Sequence, residues 1–141
     1  MSVVIREYRN YMDTERTGIG ANSLDTTNDG GPFFVSKSGA IVSKATSSGE
    51  VVGVSKTQNV VFASDNQTNA MLPLNYVPAN SEHLYETTIS GGSITIADEQ
   101  YYFNLANEVT VDGISASTTT GQLRLIKFIN ATLGQFRIAN K

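Results

Sequence analysis

No cysteine occurs anywhere in this chain, so disulfides and thiol catalysis are excluded. Histidine occurs once, at His83, which excludes a histidine-rich metal centre. No serine sits in a Gly-x-Ser-x-Gly elbow, and no nucleophile–base pair is spaced for catalysis. Apolar runs are short, and none reaches the roughly 18 residues of a membrane-spanning helix. The start, MSVVIREYRN, lacks the apolar stretch of a secretory leader. Charged residues make up only 16% of the chain, the net charge is −3, and Arg and Lys are scattered. Nucleic-acid binding therefore has no electrostatic footing.

What is present is small, polar and turn-rich. Ser, Thr, Asn and Gly supply 53 of 141 residues, while Val, Ile, Leu and Phe supply 36. That is enough to bury a core, so disorder throughout is excluded, and the length suggests one domain. The plainest local signal is TTISGGSITI, Thr87 to Ile96. It reads as two strands folded on Gly91-Gly92, because primed turns need the positive φ that glycine adopts freely. Pairing Ile89 with Ile94 puts Tyr85, Thr87, Ile89, Ile94 and Ile96 on one face. Glu86, Thr88, Ser90, Ser93 and Thr95 fall on the other, as a half-buried sheet requires. Asp112-Gly113 reads the same way, with Val111 facing Ile114 and Val109 facing Ala116.

From Pro32 onward the chain alternates short apolar runs with turn signals. Phe33–Val35 and Ala40–Ser43 flank Ser38-Gly39; Val51–Val54 and Asn59–Ala63 follow. Met71–Tyr76, bounded by Pro73 and Pro78, is at best an edge strand or a loop. Tyr101–Ala106 is the next strand, and Ser115–Gly121 is a polar connector. Gln122–Ile129 and Gln135–Ala139 close the chain; the alternation changes phase near Leu125, which predicts a bulge there. No helix is expected within 32–141, except that 63–70 has room for one turn. The expected fold is all-β: a small antiparallel barrel or sandwich of short strands and hairpins with an extended N-terminal arm.

Residues 1–31 read as that arm. Val3 to Met12 is apolar enough to pack, and its periodicity suits a helical face (Val4, Tyr8, Tyr11, Met12) or a strand (Val3-Val4-Ile5). Between Asp13 and Gly31 only Ile19, Ala21 and Leu24 are apolar, which suits a tether ordering against a partner. The other reading is that residues 1–12 fold back as an edge strand of the same domain.

Candidate chemistry is thin. Asp25-Thr-Thr-Asn-Asp-Gly30 opens like a calcium loop, but position twelve is Ser36 rather than a bidentate Glu. Gly18-Ile-Gly20 follows no clear strand and precedes no Lys-Ser/Thr, so it reads as flexible chain rather than a phosphate loop. His83 reads as a solvated residue before a strand, and Asp98-Glu99 as a polar turn rather than an acid–base pair. Of Tyr101-Tyr102, alternation turns one inward and leaves one for a surface. Asn66-Gln-Thr68 and Asn130-Ala-Thr132 are formal glycosylation sequons, without meaning absent a secretory leader. These residues favour a structural or binding role and no enzymatic one, with no metal and no cofactor.

Two motifs add a resemblance. Gly121-Gln-Leu-Arg-Leu125 and Gly134-Gln-Phe-Arg-Ile138, within the run from Thr87 to Lys141, resemble the closing strands of capsid decoration (cement) proteins of tailed bacteriophages. Gly49 to Thr57, GEVVGVSKT, is similar to their short-strand pattern, so the resemblance spans roughly 32–141. It implies a non-enzymatic β protein on the outer capsid surface of the virion, made in the bacterial cytoplasm. Its implied partner is the major capsid protein at capsomer junctions, often as a homotrimer at local three-fold positions. No nucleic acid and no membrane is implied. Val3, Val4, Ile5, Tyr8, Tyr11 and Met12 are then the expected capsid contact, on an arm of 31 residues spanning about 100 Å when extended. Met71, Leu72, Leu74 and Tyr76 are the expected subunit contact, or else a loop covering their own core. The alternative function is a receptor- or carbohydrate-binding β module of a phage fibre or tail. Fibre proteins usually carry collagen-like, coiled-coil or β-helical periods, and none occurs here. A small hydrolase is a third reading, without residues to carry it.

Overall fold

The computed structural model describes residues 3–7, 16–20, 32–38, 41–55, 73–79 and 83–139. The fold is all-β. Eleven strands are described: β1 (Val4–Glu7), β2 (Arg16–Gly20), β3 (Phe34–Ser38), β4 (Ile41–Lys44), β5 (Val51–Ser55), β6 (Pro73–Pro78), β7 (Leu84–Ser90), β8 (Tyr102–Phe103), β9 (Thr110–Asp112), β10 (Leu123–Asn130) and β11 (Leu133–Ile138). The helical content among the described residues is one 3-10 turn, Ile96–Asp98.

Five strands close into a small barrel in the order β2-β4-β3-β5-β6, with β2 and β4 parallel and the other pairs antiparallel. The other six form a sheet in the order β1-β7-β11-β10-β8, with β9 on β7. β1 and β9 share one edge of β7. β1 takes Leu84 to Glu86, antiparallel, and β9 takes Thr88 to Ser90, parallel. β7 alternates as the sequence predicts, with Tyr85, Thr87 and Ile89 buried and Glu86, Thr88 and Ser90 half-buried.

One apolar core lies between barrel and sheet. Phe34, Ala45, Val51 and Val54 meet Tyr85, Ile89, Ile94, Phe103, Leu105, Val111, Leu123, Leu125, Phe136 and Ile138 there. Its largest rings meet edge to face: Phe34 and Tyr85 at 5.7 Å, Phe103 and Phe136 at 5.9 Å between centroids. The neighbours of Phe34 point the other way. Phe33 and Val35 join Tyr76 and Val109 in a second cluster. That double burial is why Phe33-Phe-Val35 is a continuous apolar run rather than an alternation.

Two expected hairpins are corrected. Ser93 to Thr95 is not a strand, and the Gly91-Gly92 turn does not pair Ile89 with Ile94. Gly91 does adopt φ +70°, as the turn chemistry predicts. The tip of the β10–β11 hairpin has entered between the two halves of the palindrome instead. Ile89 N–H donates to Thr132 O (2.9 Å) and Ile94 N–H to Ala131 O (3.0 Å). Ile94 is still buried, but Ile96 beyond it is exposed. Asp112-Gly113 is likewise a turn without a partner strand. Asp112 Oδ1 accepts from Ile114 N–H, Ser115 N–H returns to Asp112 O, and Ile114 is exposed. Val111 bridges Leu105 rather than Ile114. The two turns pack on each other: a Cβ at Gly113 would lie 2.7 Å from Gly92 C.

Other expectations meet mixed outcomes. β3 and β4 pair with Ser38 opposite Ile41, and β10 and β11 form the closing hairpin. The register of β10 shifts between Leu125 and Lys127, where the phase change predicted a bulge. β6 is not an edge strand, since β2 lies on one side and β5 on the other. Its prolines stand at its first and last positions, where a missing N–H disturbs the ladder least. Gly18-Ile-Gly20 lies in β2, a barrel strand rather than flexible chain. Asn59–Ala63, 63–70 and the Asp25–Gly30 loop lie outside the described residues.

Gln122 ties sheet to barrel side. Its Oε1 accepts from Leu105 N–H (2.8 Å), and its Nε2 donates to Thr46 O and Gly49 O (both 2.9 Å). Gln122 and Leu105 are both buried, so losing the amide strands an N–H in the core. Gln122→Met, which keeps the volume, should destabilise by about 2–4 kcal/mol in urea unfolding. A loss under about 0.5 kcal/mol would show that the tie is dispensable.

Candidate functional site

The expected partner-contact residues divide. Val3 is buried in the domain's own core, and its N–H donates to Pro32 O (3.0 Å). Val4 and Ile5 lie in β1, opposite Glu86 and Tyr85 of β7. For residues 3–7 the arrangement is therefore the fold-back one, an edge strand of the chain's own sheet, and Val3 is not exposed to a partner. Tyr8, Tyr11 and Met12 lie outside the described residues. Arg16 to Gly20, read as tether, is in the barrel. The reason is that β6 and β4 supply ladder partners that a polar composition does not reveal.

Of the expected subunit contact, Met71 and Leu72 lie outside the described residues, and Leu74 is a central position of β6. Tyr76 is only 4% exposed and belongs to the cluster with Phe33, Val35 and Val109. It covers its own core. Phe33, Val35 and Val109 offer Tyr76 an apolar face to pack on, which draws its ring inward.

His83 is fully buried, which corrects the expectation of a solvated residue. Its Nδ1 lies 3.2 Å from the Tyr85 hydroxyl, and the two rings meet edge on. His83 stands two residues before Tyr85 and so shares its inward face, where Tyr85 is core. Asp98 and Glu99 form the polar turn that was expected. Asp98 accepts from Thr95 N–H (2.7 Å), and Glu99 Oε2 takes Phe128 N–H (2.8 Å) beside the β10 irregularity. Among the described residues no three His, Asp or Glu side chains gather as metal ligands.

One surface feature is absent from the sequence expectations. On the outward face of the sheet, Tyr102 of β8, Arg124 of β10 and Arg137 of β11 form a row, because Arg124 is opposite both Tyr102 and Arg137. The Arg124 guanidinium lies 5.3 Å over the Tyr102 ring, and its Nε donates to Gln100 O (3.0 Å). Arg137 Nε is shielded from solvent and has no protein acceptor. The sequence held a signal for this row. GQLRL and GQFRI share one pattern, Gly-Gln-apolar-Arg-apolar, and antiparallel pairing of Leu123 with Ile138 sets the two arginines opposite each other. Scanned against family models, curated proteins and solved structures, the chain matches none of them.

Proposed function

We propose that this chain is a structural virion protein of a tailed bacteriophage, a decoration protein that binds the outer capsid surface at capsomer junctions and stabilises the shell. The observation that carries this reading is the pair of motifs Gly121–Leu125 and Gly134–Ile138. Their apolar residues Leu123, Leu125, Phe136 and Ile138 are core, so the motif is a folding element of the domain. An expanded capsid strains at its subunit junctions, and a protein that binds only that lattice stabilises it by mass action. Many copies on one particle, and a trimeric form, multiply the effect. The major capsid protein is the partner, and Tyr8, Tyr11 and Met12, in the segment between β1 and β2, are the residues proposed to contact it.

The test uses capsids assembled from the major capsid protein encoded in the same genome, with and without this protein added. Saturable surface density at capsomer junctions in electron cryo-microscopy is the expected result. Replacing Tyr8, Tyr11 and Met12 together with alanine should lower occupancy at least about tenfold, as the loss of two or three apolar anchors would. No density on expanded capsids, together with saturable binding to host glycans, would replace this reading with the fibre-module one. Light scattering tests the trimer, which a strict monomer on and off the particle removes.

A further inference from the structure

We propose that the row Tyr102–Arg124–Arg137 on the outer face of the sheet is a docking site for a carboxylate-bearing segment of another protein. This inference stands independently of the capsid reading.

The two arginines are directly opposite in the β10–β11 ladder, where like charges repel. Among the described residues, no hydrogen bond or ion pair joins either arginine to a carboxylate. Residues 83–139 contain Glu86, Asp98, Glu99, Glu108 and Asp112, and every one is engaged elsewhere. Glu86 accepts from Gln135 Nε2, Asp98 from Thr95 N–H, Glu99 from Phe128 N–H and Asp112 from Ile114 N–H, while Glu108 pairs with Lys44. From Gln122 to Ala139 the chain carries Arg124, Lys127 and Arg137 and no acid at all. In a chain of net charge −3, this hairpin is locally cationic.

The geometry suits recognition more than stability. Arg124 is held over Tyr102 with its Nε already bonded, so its planar fork is preorganised. Arg137 Nε is a donor shielded from water without an acceptor, and such a donor destabilises the free fold. One carboxylate docking over the two guanidinium groups would neutralise the repulsion and accept from their terminal Nη–H groups. A second copy docking through the same row would bring four arginines together, so a two-fold self-contact is disfavoured. A nucleic-acid backbone would meet the acidic remainder of the molecule, whereas one carboxylate-bearing segment needs only the row itself.

The experiment is a titration of the full-length protein with a short glutamate-rich peptide. It is followed by NMR at the arginine Nε–H signals, at low salt and at ~150 mM. Saturable shifts at Arg124 and Arg137 that weaken with salt are expected. Arg124→Gln and Arg137→Gln should each lower affinity at least about tenfold, the effect of losing a charge-assisted hydrogen bond. Lys37→Gln, which removes an equal charge from an exposed position of β3, should leave it unchanged. The Arg137→Gln variant should also melt at the same temperature as the parent or higher, because a repulsive pair is relieved. Equal loss in Lys37→Gln would reduce the effect to bulk charge and overturn the proposal. A lower melting temperature of Arg137→Gln with unchanged binding would make the pair structural and overturn it. Tighter binding of an oligothymidylate than of the peptide would also overturn it, in favour of phosphate recognition.

Discussion

Phe136→Ala should remove about 3–5 kcal/mol of folding free energy, the largest loss expected from truncating one side chain here. Phe136 is fully buried and meets Phe103 edge on at 5.9 Å. It is opposite Leu125 on one side and Tyr85 on the other, so it lies where β7, β10 and β11 converge. Deleting its ring loses the transfer free energy and leaves a cavity that three paired strands cannot collapse around. Domains of this kind are stable by only about 5–15 kcal/mol, so the variant should be near the folding threshold. Urea unfolding should show a lower midpoint with an unchanged slope. A loss under about 1.5 kcal/mol would mean that the ring is not part of a close-packed core.

Gly53→Val should be comparably damaging, for a different reason. Gly53 lies in β5 opposite Pro78 of β6 and opposite Val35 of β3. A Cβ placed there would lie 2.2 Å from the Val77 carbonyl oxygen and 3.0 Å from Tyr76 Cδ2. The first of these is a backbone atom, so no rotamer change relieves the overlap. β5 and β6 would have to separate, opening the barrel at that seam. Overpacking of cores typically costs about 1–3 kcal/mol, and a backbone clash in a closed ring of strands should lie at or above the top of that range. Gly53→Ala isolates the effect, because it adds only the clashing atom. Thermal unfolding and amide exchange in β5 and β6 are the measurements. An alanine variant within about 0.5 kcal/mol of the parent, with unchanged protection, would show that the barrel seam yields.

The all-β class was legible in the sequence, and so was much of the alternation. Tyr85, Thr87 and Ile89 turn inward because residues two apart share a face, a property of the strand itself. The closing hairpin and its bulge near Leu125 could be read for the same reason, since the phase change is written in consecutive residues. The absence of cysteine excluded disulfides and thiol catalysis, and the single histidine excluded a histidine-rich metal centre, before any fold was known. Partner choice was not legible. TTISGGSITI has the turn and the alternation of a hairpin, yet an isolated two-stranded hairpin is only marginally stable. In the fold β11 lies along β7, Ile94 is buried, and the tip of β10–β11 takes the Ile89 and Ile94 N–H groups in place of the local partner. The same competition between distant segments decided the other surprises. β2 gained ladder partners from β4 and β6, Val3 entered the core across β7, and His83 went inward with Leu84 and Tyr85. The opposed arginines belong to this second kind. Each reads as an ordinary outward residue of its own strand, and only the antiparallel register of β10 on β11 makes them a pair. Periodicity is a property of one strand, so sequence determines which face is buried. Register and neighbour depend on the burial gained between strands far apart in the chain, so the tertiary structure decided them.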